Sequence, residues 1–146
     1  MFERIYREER VTVKPATWLI GDMADSRPLR LRLRLNGAQG IVMGPGRADL
    51  LARIAETGSI AAAGRGMGMS YKRAWGLVES LNAAFAAPLV ETAKGGAAHG
   101  GARLTPLGEE LLAAYRALEK ASQMAGAAAL DRFEAVLAVP PAPNPR

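Results

Sequence analysis

Between Arg47 and Pro88 the chain is punctuated twice, at Gly58-Ser59 and at Gly68-Met69-Ser70, and this limits the fold more than any other feature. Leu50, Leu51 and Ile54 recur at helical spacing over Arg47–Thr57, and Gly58 is a helix-stop residue. Ser59 is then placed to cap a second, short helix running to about Arg65. Ser70 is the next N-cap. Ala74, Leu77, Val78, Leu81 and Phe85 fall on one apolar face of a third helix that closes near Pro88. Gly64, Gly66 and Gly68 predict a loose end for the second helix, at up to about 1 kcal/mol for each glycine within it.

The flanks extend this pattern. Leu29–Leu35, "LRLRLRL", alternates strictly and predicts a half-buried strand with leucines on one face. Arg30, Arg32 and Arg34 on the other face read as the solvent side of an edge strand that blocks aggregation. Asn36-Gly37 is a turn signal, and Gly40–Gly46 reads as a short strand or loop entering a helix. Downstream, Leu89–Thr92 and Ala102–Thr105 are strand-like and bracket the glycine-rich "AKGGAAHGG", which reads as an open hairpin, or wing. Thr105-Pro106 starts another helix, with Leu107, Leu111, Ala114, Leu118 and Ala121 in series and Leu112 and Tyr115 broadening the stripe. Gly126 breaks it before a last helical piece over 127–139.

Strand, three helices, two-stranded wing and helix is the order of a winged helix-turn-helix. The fold class is mainly α with a small β wing, plus a long C-terminal linker or dimerisation helix. Residues 1–28 read as an N-terminal extension with a short strand around Thr12–Ile20. Residues 29–106 form the winged helix-turn-helix, 107–139 the linker or dimerisation helix, and 140–146 a disordered tail.

Composition removes several function classes. There is no cysteine, so disulfides and thiolate zinc sites are excluded, and His99 is the single histidine. No stretch has the roughly 18 uninterrupted apolar residues of a membrane span. The start, "MFERIYREER", carries both signs of charge and is no signal peptide, so a cytoplasmic chain is expected. "GRGMGM" lacks dinucleotide-loop spacing and follows no strand. No catalytic residues, metal ligands, cofactor or small-molecule site are read. The net charge of +5 is uneven: Leu29–Thr105 holds the excess of cations, while the segments before and after it are near neutral. A polyanion belongs against that middle segment.

In a helix-turn-helix the second helix enters the major groove, its first turn toward the bases. Here that turn is Ser70-Tyr71-Lys72-Arg73. Lysine and arginine neutralise phosphate or reach guanine edges, serine and tyrosine hydrogen-bond phosphate, and the helix N-terminus favours an anion. Within the full pattern Lys72 and Arg73 are read as DNA contacts rather than a solvated face, and Ser59 joins the candidates from the preceding turn. Trp75 is read as packing, with its N–H finding a partner. On the wing, Lys94 and Arg103 are candidate DNA-backbone contacts. His99 is either another such contact or part of a mobile tip. Leu107, Leu111, Ala114 and Leu118 are either core cover or a dimer face, and the dimer is favoured.

"GSIAAAGRGMGMSYKRAWGLVESLN" followed by "PLVETAKGGAAHGGARLTPLGEELLAAYRALE" resembles the N-terminal DNA-binding domain of ModE-type molybdate-responsive regulators, whose winged helix is akin to that of LysR-type regulators. "SYKRAW" and "GG…GGARLTPLG" are the specific parts, and the resemblance covers about Leu29–Glu119. It implies a dimeric winged-helix regulator that binds palindromic double-stranded DNA, with recognition helix Ser70–Leu81 and wing Lys94–Arg103, and a role near molybdate-related genes. Full-length members sense molybdate or tungstate through C-terminal β-barrel modules. Nothing in this sequence matches those, so molybdate sensing is implied by family association alone. The alternative from a different class is a protein-interaction module that pairs with another regulator and does not itself bind DNA.

Overall fold

The computed structural model describes residues 28–93 and 101–138. The strand expected around Thr12–Ile20, the tail and the wing tip with Lys94 and His99 lie outside the described residues. Two short strands, β1 (Leu35–Gly37) and β2 (Gly40–Met43), form an antiparallel hairpin. Helices α1 (Pro45–Thr57), α2 (Ile60–Gly66) and α3 (Tyr71–Ala84) follow. Then come the wing strands β3 (Val90–Thr92) and β4 (Ala102–Leu104), the long helix α4 (Pro106–Ala125) and the short α5 (Ala127–Glu134).

The punctuation acts as its chemistry requires. Gly58 ends α1 in the left-handed region at φ 69°, with its N–H donating to the Ile54 carbonyl at 2.8 Å. The Ser59, Ser70 and Thr105 hydroxyls accept from the N–H groups of Ala62, Arg73 and Gly108 at 3.0–3.1 Å, so each caps its helix. Pro45 and Pro106 open α1 and α4, where a missing N–H costs nothing.

One core joins these elements. Leu50, Leu51 and Ile54 of α1 meet Ile60 and Ala63 of α2, Ala74, Val78 and Leu81 of α3, Leu89 and Leu104 of the wing, and Leu112 and Tyr115 of α4. Gly64 lies in this core rather than loosening a helix end. A Cβ there would stand 2.9 Å from the Cβ of Ala74, so the glycine is what lets α2 and α3 touch. The propensity cost expected at Gly64 is therefore offset by packing.

The seven-residue alternation is not a strand. Only Leu35 of that run belongs to β1, and the hairpin turns at Ala38-Gln39, after Asn36-Gly37. Residues 29–34 have no partner strand among the described residues. Their hydrogen bonds go to the C-terminal helices: the Tyr115 hydroxyl donates to the Leu33 carbonyl at 2.9 Å, and the Leu29 N–H donates to Glu134 Oε1 at 3.4 Å. Leu29 and Leu33 are half-buried, while Leu31, Leu35 and the three arginines are exposed, so the alternation reports a partial one-sided contact. The edge-strand reading of the arginines falls with it.

On α4 the inward stripe is Gly108, Leu112 and Tyr115. Leu107 and Leu111 are half-buried and pack against the same core. Ala114 is half-buried, and Leu118 is 42% exposed.

Candidate nucleic-acid interface

The first turn of α3 stands clear of the core. Tyr71, Lys72 and Arg73 are exposed, and no acidic residue shares the turn. Ser70 Oγ accepts from the Arg73 N–H and so caps the helix. The remaining N-terminal N–H groups and two cations make this helix end electropositive. The Tyr71 ring meets Trp75 edge-on, with centroids 6.0 Å apart and planes at 71°. Trp75 packs against the core as expected, but its buried Nε1–H finds no acceptor among the described residues, contrary to expectation. Ser59 is half-buried at the turn between α1 and α2, where its hydroxyl oxygen serves the Ala62 N–H.

The wing root is tied to this scaffold. The Ala102 N–H donates to the Gly58 carbonyl at 2.8 Å, fixing β4 to the end of α1. Asn82 of α3 accepts from the N–H groups of Leu89 and Val90 at 2.8 and 3.1 Å and donates to the Val90 carbonyl at 3.1 Å. Arg103 faces Glu91 across the β3–β4 pair, with Nη2 3.3 Å from Oε2 and both side chains exposed. The sequence reading left this carboxylate partner out. Such an exposed pair is worth about 0–1 kcal/mol, so Arg103 remains able to turn to a phosphate.

Behind this face, Arg116 of α4 reaches Asp49 of α1 at 2.7 Å and Glu119 at 2.9 Å. Burial disfavours its charge, but the two carboxylate hydrogen bonds outweigh that and raise its pKa. Beside it, burial pushes the Tyr115 hydroxyl up to about 12, with Glu119 adding to the shift.

Neither Asn82 nor the Asp49–Arg116 pair stood out in the sequence. Asn82 did leave a trace: it is a poor helix former in the last turn of the helix. Among the described residues no group of His, Cys, Asp or Glu could hold a metal ion, and no helix is long and apolar enough to cross a membrane.

Residues 47–109 match the bacterial regulatory helix-turn-helix proteins of the lysR family. The chain is 52% identical over 104 residues to the molybdenum-pterin-binding protein MopB of Rhodobacter capsulatus, a match covering 70% of this chain and 37% of the relative. It is 49% identical over 71 residues to the molybdenum transport protein ModE of Herbaspirillum seropedicae, covering 49% of this chain and 26% of that one. To the DNA-binding transcriptional dual regulator ModE of Escherichia coli (strain K12) it is 39% identical over 93 residues, covering 64% and 36%. The matched regions thus span between about a quarter and little more than a third of the relatives' own length.

Proposed function

We propose, from the premise that the chain carries a LysR-family helix-turn-helix domain homologous to that of the ModE-type regulators, that it is a DNA-binding transcriptional regulator. The observation that carries the reading is the exposed, acid-free Tyr71-Lys72-Arg73 turn at the N-terminus of α3. In a winged helix this turn faces the major groove, where Lys72 and Arg73 neutralise phosphates or read guanine. Arg103 adds a backbone contact from the wing, and Ser59 and Ser70 order the two helix starts beneath the groove. Lys94 and His99, in the wing sequence, are further candidates for contact with the DNA backbone.

The names of the relatives, molybdenum-pterin-binding and molybdenum-transport proteins, extend the proposal to control of molybdenum-related genes. The regulator acts in the cytoplasm, as a homodimer on palindromic operators. Leu118, Met124, Phe133, Val136 and Leu137, on the last two helices and just after them, are large hydrophobic residues left exposed, which supports a second copy docking on this C-terminal part. Leu107, Leu111 and Ala114 then act by holding α4 to its own domain.

The test is a Lys72→Ala, Arg73→Ala chain, assayed by fluorescence anisotropy on duplexes selected from a random pool. Salt-dependent binding by the wild type is expected. The double variant should lose affinity, and its slope of log affinity against log salt should fall by about two if both cations meet phosphate. Unchanged affinity and sequence preference would sink the recognition-helix assignment. No wild-type binding at low salt would favour the protein-interaction reading.

A further inference from the structure

The chain between α3 and β3 is clamped from two sides. Asn82 takes the Leu89 N–H and both backbone groups of Val90. Thr105, the N-cap of α4, takes the rest: its hydroxyl donates to the Pro88 carbonyl at 2.7 Å and its N–H donates to the Leu89 carbonyl at 2.9 Å. Asn82 thereby stands in for a neighbouring strand along the free edge of β3. An amide side chain does this well because one end accepts and the other donates.

The consequence is directional. Asn82 lies on the recognition helix, and Val90 is paired with Leu104, the neighbour of Arg103, in the wing. The only side-chain bridge from α3 to the wing strands among the described hydrogen bonds is therefore this amide. We propose that Asn82 is a positioning residue for DNA reading, fixing the wing against the recognition helix so that Arg103 meets the backbone while Lys72 and Arg73 occupy the groove. The inference rests on the DNA-binding reading above. Without the amide the wing root keeps its attachments to Gly58 and Thr105 but loses its orientation relative to α3.

The experiment is a double-mutant cycle on the full chain, with binding to a selected duplex measured across salt concentrations. Arg103→Ala should lower the salt slope by about one in the wild-type background. Asn82→Ala should lower it by a similar amount, and adding Arg103→Ala should then change nothing further. Lys72→Ala should keep its full effect in either background. A role in stability alone would lower the melting temperature yet leave the Arg103 effect intact, so independent, multiplying effects of the two changes overturn the inference. An Arg103→Ala chain that binds like wild type overturns it too. If the alanine chain does not fold, Asn82→Asp keeps the oxygen that accepts from Leu89 and Val90 and replaces the donor to the Val90 carbonyl with a charged oxygen that repels it. An undiminished Arg103 effect in that background refutes the coupling. Wild-type chain that binds no duplex refutes the DNA-binding reading instead.

Discussion

Replacing Gly108 with alanine should destabilise the protein, although helix propensity alone argues the opposite. Gly108 lies in the first turn of α4, and alanine in a helix is favoured over glycine by about 1 kcal/mol. At this position, however, an added Cβ would run into the carbonyl oxygen of Leu89 and stand 3.0 Å from its carbon. Leu89 is fully buried and cannot retreat. Its carbonyl also accepts from Thr105, so displacing it breaks a hydrogen bond worth about 1 kcal/mol. Overpacking against a fixed backbone adds about 1–3 kcal/mol. The propensity gain offsets part of this, leaving a net loss of about 1–3 kcal/mol. For a domain of this size that lowers the melting temperature by roughly 5–20 °C. Gly76→Ala is the internal control: it sits in the exposed middle of α3 with nothing within 4 Å of its added Cβ, and should gain up to about 1 kcal/mol. Thermal and urea melts followed by circular dichroism read both. A Gly108→Ala chain as stable as wild type, or both variants moving the same way, would refute the argument that backbone contact decides the sign.

Two further outcomes follow from the layer behind the interface. Asp49→Ala should cost about 1–2 kcal/mol in urea unfolding. Arg116 is largely buried and would lose one of two carboxylates, while Glu119 remains and Asp49 itself is half exposed. The Tyr115 hydroxyl, with its pKa raised from 10.0 to about 12 by burial, favours the neutral form in the folded state. Its contribution to stability is fully present below pH 10 and is lost as pH rises toward 12. Melting temperatures of wild type should fall more steeply over that window than those of Tyr115→Phe, and parallel curves would remove Tyr115 as the cause.

The helices and the wing were legible in the sequence because their signals are local. A glycine that adopts a left-handed φ, a serine or threonine that caps within three residues, and a proline at a first turn each act on their own neighbourhood. That is why Gly58, Ser59, Ser70 and Thr105 fall where they were read. The candidate recognition turn was legible for the same reason, since exposure of Lys72 and Arg73 follows from their place outside the Ala74–Leu81 stripe. The resemblance in "SYKRAW" and the wing motif pointed to ModE-type regulators, and proteins of that name are among those to which the chain is similar.

Other features depended on what lies across the fold. The alternation of Leu29–Leu35 was real but ambiguous: a period of two marks one buried face, and only the nearby C-terminal helices decided that this face meets helices rather than a sheet. Gly64 looked like a flaw until Ala74 was placed against it. Asn82 looked like an ordinary polar residue until the wing root supplied three backbone partners. Sequence by itself determined the order and capping of the helices from Pro45 to Ala125, because these follow from each residue's own backbone preferences. Tertiary structure alone decided which small residues permit close approach and which polar side chains link elements, because both depend on groups distant in the chain that only packing brings within a few ångströms.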